Sequence, residues 1–276
     1  MLRVRPLFKE RSRQVLGTLG PTLLALCIAA STSCSLFRRQ EPTSEQGIFE
    51  KGYRYFERGK NTQAAELFNR LLEQYPRSRY RTRTQILLAE AYFRDKLYEE
   101  AKFLFSHFVQ LHPAHEDAEL AYFRLGDCDF EQMRGEDRDQ SFTVGALHAY
   151  ERALSLYPLN PRRQEVEERV RSCKERLAEH EYTIARFYLK TKRYRSAAER
   201  FQFMVEWYPE GELADDALFF LGEAHRRLEE DEDAAQAWNQ LISQYPQSRY
   251  CDDAEDGLRQ IAAKGRPEPG ERPVVQ

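Results

Sequence analysis

The sequence predicts an all-α fold, an α-solenoid of five helix–turn–helix repeats with an inserted helix and a C-terminal capping helix. Three observations carry that prediction. The first is one unit, His180–Pro209, in which Ala185 and Tyr188 fall on one helix and Ala197 and Phe201 on a second beyond a basic turn. Ala185 and Ala197 lack bulk and let two antiparallel helices approach closely, while Tyr188 and Phe201 fill the space beside them. Pro209 ends the second helix, because it has no N–H and disfavours helical geometry in the residue before it. The second is recurrence in the same frame: Gly52, Tyr55, Ala64, Phe68 and Pro76; Ala89, Tyr92, Ala101, Phe105 and Pro113; Gly126, Ala146, Tyr150 and Pro158; Gly222, His225, Ala234, Trp238 and Pro246. The third is composition, 41% hydrophobic and 32% charged over 276 residues, which suits units that bury surface against their neighbours rather than a membrane-spanning chain.

Taken in order, residues 1–33 read as an export signal: a basic start, an apolar run from Val15 to Ala30 broken by Gly17, Gly20 and Pro21, then small residues. Ser31-Thr32-Ser33-Cys34 looks like a bacterial lipoprotein processing site with Cys34 as the lipidated residue, although Ser31 stands where that pattern prefers Leu. Residues 34–45 are polar, contain Pro42 and have no period, so they read as a lipidated tether. Residues 46–158 hold the front units one to three, turning at Gly59-Lys60-Asn61 and at Asp95-Lys96. In unit three Gly126 and Ala146 stand 20 apart where the frame expects 12, so eight extra residues lie in the polar stretch Arg134–Ser141. Residues 159–264 hold the inserted helix, units four and five and the cap; Val166, Val170, Cys173 and Leu177 are spaced for one face of the inserted helix. Asp252–Ala263 is the expected cap, shielding the last apolar face, and residues 265–276, with three prolines and two glycines, read as a disordered tail.

The chain offers little chemistry. His180-Glu181 begins like a zinc-protease helix, yet Ile184 stands where the second histidine must be, and His107, His112 and His115 straddle a helix end without a common ligand face. We therefore expect no metal and no cofactor. No G-x-G-x-x-G, phosphate loop or G-x-S-x-G occurs, so no catalytic residue is assigned and the chain does not read as an enzyme. Net charge is −3, and the 37 Lys and Arg against 44 Asp and Glu that follow residue 33 argue against a nucleic-acid partner. Cys128, Cys173 and Cys251 form no C-x-x-C; they read as small buried packers or a surface thiol, with a Cys128–Cys173 disulfide open to an oxidising compartment. Arg77, Arg79, Arg81 and Arg83 alternate between units one and two, either as a contact for lipid phosphates near the tether or an acidic partner, or as a solvated junction.

These units resemble the tetratricopeptide repeat, a pair of helices of about 34 residues. In that repeat the first helices of successive units line a concave side. Its geometry places Phe49, Tyr53 and Phe56 there from unit one, Ile86 and Phe93 from unit two, and Phe123 and Phe130 from unit three. Unit four supplies Tyr182, Arg186 and Lys190, and unit five Phe219, Glu223, Arg226 and Arg227. The expectation is an aromatic front groove for an extended apolar peptide and a charged rear groove for a folded partner.

An exported lipoprotein of five such units, with Asp137-Arg138-Asp139 in the third turn, Lys174-Glu175-Arg176-Leu177-Ala178 leading into Glu181-Tyr182, and Tyr-Pro stops at Pro158, Pro209 and Pro246, resembles the BamD family of the outer-membrane β-barrel assembly machinery. The similarity covers about residues 46–250. It implies a lipid-anchored scaffold on the periplasmic face of the outer membrane. The rear units would bind the POTRA domains of the BamA insertase, the front units would receive the aromatic-ended C-terminal signal of unfolded outer-membrane proteins, and other lipoproteins of the machinery would be partners. Arg200, in the second helix of unit four, matches the family's basic position facing the insertase. The alternative is a periplasmic coordinator of the same repeat class, linked to peptidoglycan synthesis or the Tol system. Such proteins commonly carry a coiled coil ahead of the repeats, for which Leu36–Glu45 is too short.

Overall fold

A computed structural model describes residues 42–264. Among the described residues there are eleven α-helices and no strand: α1 (Glu45–Glu57), α2 (Asn61–Gln74), α3 (Arg81–Arg94), α4 (Tyr98–Leu111), α5 (Ala118–Phe130), α6 (Ser141–Leu156), α7 (Arg163–Lys190), α8 (Tyr194–Trp207), α9 (Ala214–Arg227), α10 (Asp231–Gln244) and α11 (Cys251–Lys264). Each helix packs on the next in sequence, and α1 also touches α3, which is how hairpins stacked side by side pack. Cys34 and the residues 265–276 lie outside the described residues.

The repeated small–aromatic pairs set the spacing inside each hairpin. A Cβ on Gly126 would stand 2.4 Å from the Tyr150 ring, and one on Gly222 would stand 2.3 Å from the Trp238 indole nitrogen, so helix pairs close to a distance only glycine permits. The hairpin turns share one device. Gly59, Lys96, Lys192 and Glu229 all take the left-handed conformation, at φ 68°, 61°, 62° and 62°. The next N–H returns to a carbonyl five residues back, as from Leu97 to Tyr92 at 2.9 Å, which closes the last turn of the first helix. Unit three departs from this. Its turn, residues 131–140, is held to α7 through Glu136, whose carboxylate meets Arg176 at 2.9 Å and whose carbonyl lies 2.6 Å from Nδ1 of His180. Gln140 closes the loop on itself, donating to the carbonyls of Gly135 and Arg138 at 2.8 and 3.0 Å.

The inserted helix is not a separate element. It is the first half of α7, which runs 28 residues without a break into the first helix of unit four. Between Arg163 and Lys190 there is neither glycine nor proline, and the run is rich in Glu and Arg, so nothing in the backbone stops it. Val166, Cys173 and Leu177 are buried on its inner face as their spacing predicts, and Val170 packs half-buried beside them. Cys128, Cys173 and Cys251 are free, so the Cys128–Cys173 disulfide does not form; Sγ of Cys173 instead lies 3.7 Å from the Met133 sulfur.

Candidate functional site

The front units close their aromatic row more tightly than the repeat geometry suggests. Phe56, Ile86 and Phe123 are 4%, 1% and 1% exposed and belong to the core, which corrects their placement on an open groove. The cause is the neighbouring helices: Phe56 and Ile86 lie in one core cluster with side chains of α2, α3, α4 and α5, and Phe123 lies in another with side chains of α6 and α7. Phe49, Phe93 and Phe130 are half-buried, and Tyr53 alone of the seven is exposed, at 39%. Phe49 stacks on Tyr80 with ring centroids 4.6 Å apart, and Tyr53 lies 6.2 Å beyond.

Guanidinium groups lie over this row. Arg94 sits 3.8 Å above Phe56, Arg124 lies 4.5 Å from Phe93, and Arg169 lies 5.0 Å from Phe130. The front face is therefore arginine laid over aromatic rings, a cation–π arrangement, rather than a bare apolar wall. Beneath it, Asp127 is wholly buried and accepts from Tyr150 Oη at 2.9 Å, Arg124 at 2.9 Å, Arg162 at 3.1 Å and Arg169 at 2.9 Å. Arg124 also grips Glu90 at 2.6 and 3.1 Å, and Arg162 grips Glu165 at 2.9 Å. Hydrogen bonding to Arg162 draws the Glu165 carboxyl below its ordinary pKa, and the same bond, joined by the one to Asp127, raises that of Arg162 against the opposing effect of burial. Burial, reinforced by the Asp127 charge, pushes the Tyr150 phenol up. This polar hub joins α3, α5, α6 and α7, and the sequence reading missed it; its one signal was an acid at 127 beside the frame glycine Gly126, where the pattern expects core.

In the rear units the charged residues divide between separate places. Arg186 and Lys190 of α7 are exposed and, with Phe187 and Leu189, line a shallow cleft of about 470 Å³. The Arg186 guanidinium lies 3.8 Å over Phe220, and Phe187 is 58% exposed. Arg200 of α8 is exposed and pairs with Glu181 at 2.8 Å, outside that cleft. Arg226 is half-buried and folded back on Glu223 at 2.9 Å, a bond that raises its pKa, whereas Arg227 is exposed. Tyr182 turns away from solvent, half-buried with its hydroxyl 3.1 Å from Asp216; burial and that carboxylate push its phenol up. Phe219 stacks on Tyr250 at 4.3 Å, repeating the Phe49–Tyr80 contact of unit one.

Among the described residues, two groups each bring a histidine and carboxylates within ligand distance, His115–Glu116–Asp117 and His225–Glu230–Asp233. In each, a carboxylate is already engaged by a guanidinium: Asp117 by Arg83 at 2.7 Å and Glu230 by Arg195. No described helix is long and apolar enough to cross a membrane.

The family model described as outer membrane lipoprotein, YfiO, matches residues 41–238. The outer membrane protein assembly factor BamD of Caulobacter vibrioides is 26% identical over 254 residues, covering 88% of this chain and 83% of its own length. The BamD of Rickettsia prowazekii is 26% identical over 203 residues, covering 74% and 81%. Among solved structures, a thermophilic tetratricopeptide-repeat protein of Thermus thermophilus aligns over 80% of this chain and 100% of its own at 15% identity, with a TM-score of 0.35. With an all-α array of stacked hairpins and a family match spanning most of that array, the chain belongs to the outer membrane lipoprotein family YfiO, the family of the outer membrane protein assembly factor BamD.

Proposed function

We propose that this chain is a non-catalytic scaffold of outer-membrane protein assembly, anchored through acylated Cys34 on the periplasmic face of the outer membrane. Its rear units hold the POTRA domains of the insertase, and its front units receive the C-terminal signal of unfolded outer-membrane proteins. Membership of the assembly-factor family supports the general role, and one observation supports the division of labour: basic and apolar side chains stand together on the rear surface, where Arg186, Lys190 and Phe187 are exposed on a single helix end and Arg200 is exposed on the next. A folded acidic partner fits such a surface, since charge steers and aligns the encounter while an exposed aromatic supplies apolar area. At the front, Tyr53 with the half-buried Phe49, Phe93 and Phe130 offers ring edges, and the exposed Arg94 offers a cation to a chain-terminal carboxylate, while Arg124 is held by Glu90 and Asp127. Phe56, Ile86 and Phe123 support that surface from below.

The test is co-purification from mildly solubilised outer membranes. Arg186→Glu together with Arg200→Glu should lower recovery of a POTRA-bearing β-barrel protein about tenfold or more, since reversing rim charges removes steering and adds repulsion. Full recovery with the double variant would remove the assignment of the rear face.

A further inference from the structure

We propose that the first unit is a docking surface for a phospholipid bilayer bearing anionic headgroups, formed by Arg54 and Arg58 on one side of the entering chain and by Arg77 and Arg79 on the other. The proposal deepens the anchored reading above and relies on it for proximity to a membrane.

The argument begins with where the charge lies. Residues 45–84 carry nine Lys and Arg against five Asp and Glu, whereas residues 85–264 carry 24 against 36. The solenoid is thus basic at its N-terminal end and acidic over the rest. Many of the acids are answered locally, but Arg54, Arg58, Arg77 and Arg79 are exposed and have no carboxylate partner among the described residues.

An internal copy shows what is different about this end. The loop Gln247-Ser248-Arg249-Tyr250 repeats Arg77-Ser78-Arg79-Tyr80, down to the serine hydroxyl that accepts from the tyrosine N–H in both and the arginine laid over the tyrosine ring at 4.7 and 4.8 Å. In the rear copy Arg249 reaches Asp216 at 2.9 Å. The residue in the matching place on α1 is Gln46, which is neutral, so Arg79 keeps its charge for an outside partner.

The third observation is where the chain enters. The carbonyl of Pro42 accepts from Arg70 at 3.2 Å and that of Thr43 from the Tyr75 hydroxyl, at the start of the loop that carries Arg77 and Arg79. Pro42 also rims an open cleft of about 450 Å³ lined by Lys51, Arg54, Tyr55 and Arg58, with Glu50 its only acid. The first described residues therefore meet the fold where the two basic groups adjoin. Cys34 is eight residues upstream of Pro42, a span of at most about 29 Å, so an acyl chain there keeps this end, and not the acidic one, within reach of the headgroups. Anionic headgroups attract the first unit within a Debye length and repel the far end, which orients the solenoid with its rear units away from the bilayer.

The test uses the chain from Ser35 onward, which keeps every described residue and carries no acyl group, in co-sedimentation with vesicles. Phosphatidylcholine vesicles with phosphatidylglycerol should retain it at low ionic strength, raised salt should release it, and pure phosphatidylcholine vesicles should not hold it. Reversing all four arginines (R54E, R58E, R77E, R79E) should lower the apparent partition coefficient by roughly six hundredfold or more, because each basic side chain near an anionic surface contributes roughly a factor of five. R226E with R227E, at the acidic end, should leave it unchanged, and helical circular dichroism checks that each variant is folded. Equal retention of the four-fold variant, equal binding to neutral vesicles, or no binding to either would each overturn the proposal. An acidic protein as the true partner would give the last of these. Insertase co-purification is read separately, so vesicle binding and the rear-face assignment can fail independently.

Discussion

Asp127 has no exposed surface, and its carboxylate accepts from one phenol and three guanidinium groups, so its charge is worth most to the groups around it. Replacing it with Asn keeps the volume and removes the charge, leaving Arg124, Arg162 and Arg169 crowded without their common counterion. Because those arginines retain about a quarter of their exposure, the loss falls at the low end for a broken buried pair, roughly 3 kcal/mol, and chemical denaturation should show it as a lower midpoint. Cys173 makes a second prediction at this scale. Burial, with only a partial counter-effect from Arg169, pushes its thiol up to about 12. A raised thiol pKa means less thiolate, so at pH 8 roughly one molecule in ten thousand is in the nucleophilic form. Cys173 should resist an aromatic disulfide reagent in the folded chain and react at once in denaturant, which a spectrophotometric thiol count distinguishes.

Along the hairpin turns, Lys96, Lys192 and Glu229 occupy a conformation that costs a side-chain-bearing residue about 1–2 kcal/mol, part of which glycine recovers. Unit one already has Gly59 in this place. Lys96→Gly and Lys192→Gly should each stabilise the chain by about 0.5 kcal/mol, after the entropy glycine adds to the unfolded state is deducted, and urea titration should show the two adding. The opposite is expected of Gly222→Ala, where the new methyl meets the Trp238 indole and strains its hydrogen bond to the Phe219 carbonyl; overpacking of this kind costs about 1–3 kcal/mol. These pairs were legible in the sequence because small and aromatic residues recur in a fixed frame, and a frame carries packing information within one hairpin. What covers a helix face is not in the frame. Phe56 is closed by Arg94 and Phe93 by Arg124, partners more than thirty residues away, and helical periodicity marks Phe56, Ile86 and Phe123 as apolar without saying whether solvent or the next unit lies opposite. For the same reason the inserted helix was visible as an apolar face, while its fusion with unit four rested on the lack of any stop between Ala178 and Glu181.

Across the whole molecule, α7 makes the array more than a sum of neighbouring hairpins. Solenoid units ordinarily couple only through their shared interfaces, so that ends can unravel without the middle. Here one continuous helix packs against unit three and supplies the first helix of unit four, and its N-terminal end is bolted through the capping Arg162 and through Arg169 to Asp127, and from there through Arg124 to Glu90 on α3. The turn of unit three adds a second fastening at Glu136. The ends have nothing comparable: α11 buries only Ala254 and Gly257, and α1 packs on one side alone. Amide hydrogen exchange should therefore be slowest in α5, α6 and the first half of α7, and faster in α1 and α11 by a factor of about ten or more, since an end helix is covered on one side only and its opening breaks no buried ion pair. In Asp127→Asn the contrast should shrink from the middle outward, with α5 to α7 gaining exchange and the ends nearly unchanged. Such a result would place the rigid part of the molecule between the front and rear faces proposed above for binding, and would hold the two at a fixed bearing to one another. Uniform exchange along the solenoid, or protection highest at either end, would mean that α7 does not couple the halves.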